Sequence, residues 1–325
     1  MKSSLTQALT FVDLHPAAGD LRDEVLAGLR GTPKALAPKL FYDLKGSELF
    51  ERITGLPEYY PTRTEIAILE TRASEIADLM GEDCVLIEYG SGASRKIRIL
   101  LDTLGGDGRY VAIDISKEYL IESTARLADL YPRLDAYAVC ADYSRPLELP
   151  EAALEGTGRR VVFFPGSTIG NFAPAEAQNF LRATADQLGT EGALLIGVDL
   201  KKDHCKLNAA YNDAEGVTAA FNLNLLTRLN RELDADFDLS TFDHLAFYND
   251  EAGRIEMHLV SKRDQSVCVG SEEIWFAQGE AVHTENSYKF TVDEFQTLAS
   301  SAGFQSDRVW TDESQLFSVH FMSIR

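Results

Sequence analysis

Basic residues and long apolar runs are scarce in this chain of 325 residues. Its 31 Lys and Arg against 51 Asp and Glu leave a formal net charge of −20, which would repel nucleic-acid phosphates. No apolar run approaches the length that crosses a membrane, and residues 1–13 lack the sustained apolar stretch of a signal peptide. We therefore expect a soluble, cytoplasmic protein that has neither nucleic acid nor a membrane as a partner.

Cysteine is rare as well, and none of the four cysteines has the C-x-x-C spacing of common metal and redox motifs. The six histidines are equally dispersed along the chain. Asp203, His204 and Cys205 are adjacent and could suggest a metal site, but three consecutive side chains on a helix point in three directions. We predict that the chain binds no metal and forms no disulfide.

The most informative stretch of the sequence is V-L-I-E-Y-G-S-G-A-S-R-K, at residues 85–96. Residues 85–87 form an apolar run of the kind that is buried on both faces of a parallel sheet. Gly90 and Gly92 then permit a tight turn and a close backbone approach, and the apolar residues that follow recur at helical spacing. A strand, a glycine turn and a helix N-terminus together predict a site for a nucleotide-like ligand.

The glycine pattern lacks the third glycine of a dinucleotide site, because Arg95 stands at that position of G-x-G-x-x-G. An acid, Glu88, before a G-x-G turn instead resembles the first motif of Rossmann-like S-adenosylmethionine-dependent methyltransferases. The next strand ends at Asp114, 24 positions after Gly90, which is a suitable distance for an acid that holds ribose hydroxyls. The competing interpretation is an ordinary strand–helix turn whose strand ends in an acid.

Two further strand ends carry polar residues that fit the same ligand. The third strand, A-Y-A-V-C, is followed by Asp142 and Tyr143, which resemble the adenine-binding acid and aromatic residue of methyltransferases. The fourth strand, V-V-F-F-P, leads into G-S-T-I-G-N, which ends at Asn171. Ligands of doubly wound sheets bind outside the carboxyl ends of the strands, so we expect these residues to converge with Glu88 and Asp114 in one crevice. This agreement between strand ends weighs against the ordinary turn.

The alternation of strands and helices covers only part of the chain, which has room for one large domain or two modest ones. We predict an α/β fold with a Rossmann-like methyltransferase sheet and a second, α+β substrate-binding lobe. The S-adenosylmethionine-binding domain comprises residues 63–201 plus 291–325. The substrate-binding lobe comprises residues 1–62 plus 202–290, that is, the N-terminus and an insertion.

Local patterns predict several elements of these two domains. Thr62 and Glu65 have the spacing of a capping box, which predicts the start of a helix. The apolar spacing over residues 203–233 predicts a long helical region. Residues 255–259 alternate as in a hairpin strand, with the apolar side chains on one face. A second capping box at residues 291–294 predicts the last helix, which two closing strands follow.

Six stretches make the resemblance more specific: L-P-E-Y-Y-P-T-R-T-E, P-G-S-T-I-G-N, A-E-G-V-T-A-A-F-N, R-E-L-D-A-D-F-D, R-I-E-M and T-E-N-S-Y-K-F. They lie along nearly the whole chain and are similar to the histidine Nα-methyltransferases of ergothioneine biosynthesis. Members of that family transfer three methyl groups from S-adenosylmethionine to the α-amine of L-histidine and so produce hercynine. The resemblance implies the same activity here, with S-adenosylmethionine as methyl donor and L-histidine as small-molecule substrate.

The resemblance also implies roles for individual substrate-binding residues. Tyr59, Glu285 and Ser287 would contact the imidazole ring of the substrate. Asn171 and Tyr211 would hold its α-amino and carboxylate groups. Since Glu285 and Ser287 are two positions apart on one predicted strand, their side chains point to the same face.

Three more residues are implied to shape the pocket. Tyr42 and Phe50 would line the site of methyl transfer, and Met257 would pack near the substrate ring. Positioning by these groups and by Asn171 leaves no residue with an assigned acid–base role. The residues implied to bind the cofactor are Gly90, Lys96, Asp114, Asp142, Tyr143 and Gly166.

Three interpretations stay open from the residues alone. The first is the histidine methyltransferase, and the second is an enzyme that methylates another aromatic amino acid such as tryptophan or tyrosine. Glu285 discriminates between them, because an indole gives no reason for a carboxylate at that position. The third is a nicotinamide-dependent or nucleotide-binding protein, against which the missing third glycine argues. Without the family resemblance, Glu285 and Ser287 are better explained as polar residues at the exposed edge of a strand. The sequence leaves the oligomeric state open, with a monomer slightly favoured.

Overall fold

The computed structural model describes residues 9–14, 18–92, 94–145, 147–156 and 158–325. Most of the segment on which the signal-peptide prediction depends, residues 1–8, lies outside this part. The chain divides into two compact units. The first unit comprises Met1–His15, Pro61–Lys201 and Phe290–Arg325, and the second comprises Pro16–Tyr60 and Lys202–Lys289. Within the described ranges, no helix is both long and apolar enough to cross a membrane.

The strands are numbered in chain order over the described residues. They are β1 (Thr10–Asp13), β2 (Lys34–Ala35), β3 (Val85–Tyr89), β4 (Asp107–Asp114), β5 (Arg133–Cys140), β6 (Arg160–Phe164), β7 (Ala193–Asp199), β8 (Phe242–Asn249), β9 (Arg254–Ser261), β10 (Gln265–Val269), β11 (Glu272–Phe276), β12 (Ala281–Tyr288), β13 (Phe304–Thr311) and β14 (Phe317–Ile324). The α-helices are α1 (Ala18–Arg30), α2 (Leu44–Thr54), α3 (Tyr60–Met80), α4 (Arg95–Thr103), α5 (Lys117–Leu130), α6 (Glu151–Leu154), α7 (Pro174–Leu188), α8 (His204–Ala210), α9 (Val217–Leu233) and α10 (Val292–Ser301). Short 3-10 helices span Pro38–Phe41, Thr168–Asn171 and Leu239–Thr241.

The first unit is built on one sheet with the strand order β1-β5-β4-β3-β6-β7-β14-β13. All neighbours from β1 to β7 pair in parallel. Strands β3 and β7 are buried along their whole length, as expected for apolar strands of a parallel sheet with both faces covered. Successive residues of β3 enter different apolar clusters, Leu86 one and Ile87 the other. These features confirm the predicted Rossmann-like α/β fold.

Helix α10 and two closing strands complete the sheet. The Thr291 side chain accepts a hydrogen bond from the Glu294 amide, and the Glu294 carboxylate accepts one from the Thr291 amide. This capping box confirms the prediction for the last helix. Strand β14 is antiparallel to both of its neighbours, β7 and β13. A dinucleotide-binding sheet has the order 3-2-1-4-5-6, so the insertion of an antiparallel strand argues against that class.

Strand β1 lies in the first unit, whereas the sequence prediction assigned residues 1–62 to the substrate-binding lobe. It pairs in parallel with β5, with Thr10 opposite Tyr137 and Asp13 opposite Cys140. A strand of four residues has too little periodicity to reveal its partner. Its placement depends instead on an edge of β5 that is distant in the sequence.

The second unit contains a four-stranded sheet in the order β2-β12-β9-β8. Strand β9 is antiparallel to both β8 and β12, and the short β2 pairs in parallel with β12. Strands β10 and β11 form a separate hairpin. Ile255, Met257 and Leu259 of β9 are at most 1% exposed, which confirms that they share a buried face.

An irregularity interrupts β12. Its register against β9 shifts between His283 and Glu285, which makes Thr284 an extra residue on this strand. Before the shift the buried side chains are at even-numbered positions, Val282 and Thr284. After the shift the buried side chain is at an odd-numbered position, Ser287. The alternation of buried and more exposed side chains therefore changes phase at this bulge.

Helix α3 begins earlier than the sequence predicts. Its first residue is Tyr60, so Thr62 and Glu65 lie within the helix and do not cap it. Both side chains are buried, Thr62 with 8% exposure and Glu65 with none. The capping-box prediction is wrong here because a buried acid at the same spacing serves a contact with another part of the chain.

The predicted helical region at residues 203–233 consists of two helices, α8 and α9. The Asp213 carboxylate accepts hydrogen bonds of 2.8 Å from the amides of Val217 and Thr218, at the start of α9. Gly216 has a φ of +70°, which does not continue a helix. The apolar spacing persists across this break, which explains why the sequence pattern did not reveal it.

Candidate active site

The glycine turn after β3 needs two residues in the left-handed region of the backbone. The angle φ is +71° at Gly90 and +44° at Gly92, which glycine adopts without steric cost. The Gly90 amide donates a hydrogen bond of 2.8 Å to the carbonyl of Ile113, which holds the turn against the end of β4. A Cβ atom at Gly90 would lie 3.3 Å from the hydroxyl of Tyr143. The turn thus has little room for a larger residue.

Asp114, the last residue of β4, presents its carboxylate to the same turn. It accepts hydrogen bonds from the amides of Ser116 at 2.9 Å and Gly92 at 3.4 Å. Burial raises the pKa of this carboxyl, and the backbone donors oppose that shift. A carboxylate has about four acceptor positions, so Asp114 keeps acceptor capacity for hydroxyl donors beside its backbone donors. The buried hydroxyl of Ser91, within the turn, has no hydrogen-bond partner among the described residues. This arrangement fits a ligand with neighbouring hydroxyls, such as a ribose.

Lys96 and Gly166, both predicted to bind the cofactor, are joined by Glu65. The ammonium of Lys96 lies 2.5 Å from the Glu65 carboxylate, and the Gly166 amide donates to that carboxylate at 2.9 and 3.1 Å. A Cβ atom at Gly166, where φ is +80°, would lie 3.4 Å from the lysine nitrogen. Glu65 therefore holds the lysine beside the loop that follows β6.

Glu88 is hydrogen-bonded inside the sheet. Its side chain accepts a hydrogen bond from the Tyr110 hydroxyl, and the residue is only 2% exposed. Burial raises the pKa of this carboxyl to about 8, so the protonated form predominates at neutral pH. Glu88 thus supports the end of β3 from within the core, whereas the sequence analysis expected it in the crevice.

Asp142 and Tyr143 follow the end of β5. The Asp142 carboxylate accepts a hydrogen bond from the Ser144 amide at 3.0 Å and lies 3.6 Å from the Arg145 guanidinium. The Tyr143 ring packs against Tyr89 with a centroid distance of 5.5 Å, and burial raises its pKa. Strand β5 is parallel to β4, so Tyr143 follows the edge of the sheet at which Asp114 lies, with its hydroxyl near the glycine turn.

Asn171 ends the 3-10 helix that follows β6, and it is partly buried. Strand β6 is the neighbour of β3 on the side away from β4, with Phe163 opposite Glu88. Parallel neighbours end at the same edge of a sheet, so Asn171 follows the edge at which Asp114 lies. The structure therefore brings the predicted cofactor residues to one edge of the first unit's sheet, as the strand ends suggested.

Five aromatic side chains of the second unit form a continuous aromatic cluster. Tyr42 and Phe50 have a centroid distance of 5.9 Å, Phe50 and Tyr59 one of 6.3 Å, and Tyr59 and Tyr211 one of 6.2 Å. Phe221 of α9 lies 5.9 Å from both Tyr42 and Phe50. Most of these pairs have the edge-to-face geometry that aromatic quadrupoles favour. Four of the five were predicted as site residues.

Polar groups of β12 adjoin this cluster. The Tyr211 hydroxyl donates a hydrogen bond of 2.8 Å to Ser287. The Lys289 ammonium donates to Ser287 at 2.8 Å and to Tyr211 at 3.2 Å. All three side chains are buried. Glu285, two positions before Ser287, lies opposite Met257 of β9. The structure thus brings the predicted substrate residues of the second unit together.

The Glu285 carboxyl titrates near neutrality. Burial raises its pKa to about 7, and the nearby positive charge of Lys289 opposes that shift. Both protonation states are therefore populated near pH 7, and the carboxylate predominates above it. In its carboxylate form the group acts as a hydrogen-bond acceptor only.

The sequence analysis missed three residues: one at the edge of the first unit's sheet, and two in or beside the aromatic cluster of the second unit. Glu65 precedes the buried Ile68 and Leu69 by three and four positions, so an acid on the apolar stripe of a helix was the available signal. Phe221 belongs to the apolar spacing of α9 and cannot be told from an ordinary core residue. Lys289 follows Ser287 at the strand spacing, and that spacing was its only signal.

Among the described residues, one group has a geometry that could hold a metal ion. The ligand atoms of Glu256, His258 and His283 lie within 4.8 Å of one another. The Glu256 carboxylate is already engaged, 3.1 Å from His258 Nε2 and 2.7 Å from the Arg254 guanidinium. The positive charge of the arginine disfavours a cation at this place. The absence of a metal stays a prediction from the sequence.

A mainly parallel sheet closed by an inserted antiparallel strand, a glycine turn and an acid at the next strand end together define a Rossmann-like, S-adenosylmethionine-dependent methyltransferase. The family model described as "Histidine-specific methyltransferase, SAM-dependent" matches residues 21–324. The chain belongs to this family of histidine-specific methyltransferases, and S-adenosylmethionine is its methyl donor.

Several named proteins are similar to the chain over most of its length. It is 45% identical over 308 residues to the histidine N-alpha-methyltransferase of Mycolicibacterium smegmatis, covering 93% of this chain and 94% of that protein. It is 43% identical over 305 residues to the histidine N-alpha-methyltransferase of Mycobacterium tuberculosis, covering 92% and 93% respectively. Ergothioneine biosynthesis protein 1 of Neurospora crassa is 32% identical over 298 residues, which is 90% of this chain and 33% of that protein.

Proposed function

We propose that this enzyme transfers three methyl groups from S-adenosylmethionine to the α-amine of L-histidine, giving hercynine for ergothioneine biosynthesis. Family membership and the activities for which its relatives are named support the proposal. The observation that carries it is the Glu285–Ser287 pair, an acceptor and a hydroxyl on one strand, with the hydroxyl bonded to the aromatic cluster through Tyr211. A neutral imidazole needs such a pair, because it has one N–H donor and one bare nitrogen.

Glu285 and Ser287 would form hydrogen bonds with different nitrogens of the imidazole ring, one of which carries a proton while the other does not. The Glu285 carboxylate accepts from the ring N–H, and Ser287 contacts the second ring nitrogen. The Tyr59 hydroxyl offers a further polar contact, and Met257, opposite Glu285 on β9, packs near the ring. A site built to hydrogen-bond a ring discriminates strongly, since a substrate without those groups leaves buried polar atoms unpaired.

Cofactor binding is assigned to the edge of the first unit's sheet. Asp114 would accept hydrogen bonds from the two ribose hydroxyls, beside the turn of Gly90. Asp142 and Tyr143 would bind the adenine, through the exocyclic amine and the ring face respectively. Lys96, held next to Gly166, supplies a positive charge that suits the carboxylate of the methionine portion.

Placement of the amine dominates the chemistry of methyl transfer. S-adenosylmethionine supplies, when bound, a methyl group activated by its sulfonium. The displacement is in line and needs little covalent help, so orientation of the nucleophile contributes most. The attacking amine must be neutral, and a pocket with little water disfavours its charged form. The product is a permanent cation, which the faces of Tyr42 and Phe50 stabilise.

Two polar residues are assigned to the amino-acid end of the substrate. The Asn171 side-chain oxygen would accept from an amine N–H and so direct the nitrogen lone pair. Tyr211 is predicted from the family resemblance to hold the carboxylate. Its hydroxyl donates to Ser287 in the structure. We therefore propose that Tyr211 supports the imidazole site, and the carboxylate role stays a prediction.

Mass spectrometry of reactions with S-adenosylmethionine and each of the twenty amino acids tests the function. We expect histidine to gain one, two and finally three methyl groups, and the other amino acids to react far more slowly. A tryptophan or tyrosine product in place of hercynine would contradict the specificity. Failure to methylate any amino acid would contradict the activity itself.

We further propose a monomeric, cytoplasmic enzyme that has neither nucleic acid nor a membrane as a partner. The net charge of −20 supports the absence of a polyanionic partner. All four cysteines are free, as is usual in a reducing compartment. Light scattering of the purified protein measures the mass of the particle, and a dimer would contradict the monomer.

A further inference from the structure

Lys289 is a buried residue of the proposed substrate site for which the family resemblance implied no role. It is 2% exposed, and its ammonium lies 2.8 Å from the Ser287 hydroxyl and 3.2 Å from that of Tyr211. It also lies 5.2 Å from the centroid of the Tyr211 ring. A lysine side chain is almost never buried to this extent unless its charge is paired. Its charge also acts on Glu285, so the lysine influences both groups that are proposed to contact the substrate ring.

The hydrogen-bond capacities of these groups determine the direction of the Ser287 proton. An ammonium has three donors and no acceptor, so Lys289 donates to both Ser287 and Tyr211. Ser287 accepts one hydrogen bond from Lys289 and another from the Tyr211 hydroxyl. A serine hydroxyl has two lone pairs, and both are then used. Ser287 is left with its own O–H as a donor.

We propose that Lys289 is a positioning residue that makes Ser287 a hydrogen-bond donor to the bare nitrogen of the substrate imidazole. The proposal rests on the proposed histidine specificity and adds the group that sets its polarity. Glu285 accepts while Ser287 donates, so two residues of one strand distinguish the two nitrogens of the ring. A ring without a bare nitrogen leaves the Ser287 donor unpaired, and a ring without an N–H leaves the Glu285 acceptor unpaired.

Replacement of Lys289 by methionine would release this constraint. The methionine side chain keeps much of the apolar length but has no donor. One lone pair of Ser287 is then open, and its proton can turn toward the oxygen of Tyr211. The Glu285 contact does not use the lysine donor, but loss of the Lys289 charge raises the pKa of that carboxyl further. All comparisons are therefore made at pH 9, where the carboxylate is favoured in both proteins. Discrimination should therefore weaken against rings that lack the bare nitrogen and persist against rings that lack the N–H.

Two classes of histidine analogue separate the two contacts. Pyrrol-2-yl- and pyrrol-3-yl-alanine keep an N–H and lack the bare nitrogen, whereas thiazol-4-yl- and thiazol-5-yl-alanine keep a bare nitrogen and lack the N–H. In each class the better ring isomer is compared with histidine by kcat/KM. For the wild type we expect histidine to be preferred about 10-fold or more over both classes, from one unpaired buried group in each case. In Lys289→Met the preference over pyrrole should fall roughly 10-fold, and the preference over thiazole should stay within about 2-fold.

Three further variants make the result specific. Lys289→Gln keeps an amide donor and should retain part of the preference over pyrrole. Ser287→Ala removes the donor itself and should lose that preference. Lys34→Met removes another lysine of the second unit, paired with Glu280 at 2.7 Å, and should leave both preferences unchanged. Because each preference is a ratio within one preparation, partial misfolding of a variant does not alter it.

The outcomes distinguish this inference from the proposed function. A wild type that does not methylate histidine contradicts the proposed function. A wild type that does, with a preference over pyrrole that is unchanged in Lys289→Met, overturns the role of Lys289. Equal loss of both preferences in Lys289→Met indicates a general disturbance of the pocket and also overturns it. If the lysine variants turn over too slowly, calorimetric Kd values for the same ligands give the same two ratios, with the same criteria.

Discussion

Removal of the Glu285 carboxylate tests the proposed specificity directly. In Glu285→Ala the imidazole N–H loses its acceptor, and a hydrogen bond to a charged group contributes about 1.5–3 kcal/mol. We therefore expect kcat/KM for histidine to fall roughly 10- to 150-fold at pH 8, where the carboxylate predominates. An apolar aromatic amino acid makes no such hydrogen bond, so its kcat/KM should fall much less or rise. A competition assay with histidine and tryptophan measures both, and a variant with the full preference for histidine would refute the reasoning.

The pH dependence of the same reaction gives a second test of Glu285. Its pKa is raised to about 7, so the carboxylate fraction grows between pH 6 and 8, and kcat/KM for histidine should rise over that interval. Glu285→Gln cannot ionise there and should lose that part of the rise, while the titrating groups of the substrate act in both proteins alike. Glu251→Gln, at an exposed position of the second unit, serves as the control and should keep the wild-type profile. Identical profiles for wild type and Glu285→Gln would contradict the assignment.

Asp114→Ala should weaken S-adenosylmethionine binding by about 1–3 kcal/mol through lost charged hydrogen bonds. Calorimetric titration checks this against the exposed Asp129→Ala, and unchanged affinity would remove Asp114 from the ribose site. Asn171→Ala should lower kcat far more than cofactor affinity, and near-normal turnover would contradict its role in orienting the amine. Burial raises the Glu88 pKa to about 8, so between roughly pH 5 and 8 the folded state keeps a proton that the unfolded chain has released. The free energy of unfolding should therefore fall by roughly 4 kcal/mol from pH 5 to 9, and Glu88→Gln should abolish most of that fall in denaturant titrations.

The sheet of the first unit was predictable because its signals are local. Each central strand contains an apolar run with glycine or an acid at or shortly after its end, and parallel strands place such ends at one edge. Asp114 and Gly90 could therefore be brought together from their order in the sequence alone. The second unit gives weaker signals, since its sheet joins β2 to β12 across most of the chain.

The residues that the sequence did not reveal are those whose roles depend on distant partners. Glu65 has the spacing of a helix cap, and only the fold shows that its carboxylate meets Lys96 and the loop after β6. Lys289, which directly follows β12, has no distinguishing pattern in the sequence, and only the fold shows its contact with Tyr211 of another segment. Short-range patterns describe neither contact, because the partners are separated by loops whose paths only tertiary packing determines.

The extra residue in β12 lengthens the strand by one position without changing which partners its later residues face. Thr284 is held in place, since its hydroxyl lies 2.8 Å from the Asn222 side-chain oxygen and 3.0 Å from the Met257 carbonyl oxygen, two acceptors for its one proton. With this residue present, Ser287 follows the buried even-numbered positions on the same side of the strand. Without Thr284 the pairs on either side of it would follow each other directly, so Ser287 would keep Ile255 as its partner and stay on the same face of the strand. An insertion or deletion at this one point is therefore compatible with an unchanged set of side chains on the face that carries Ser287.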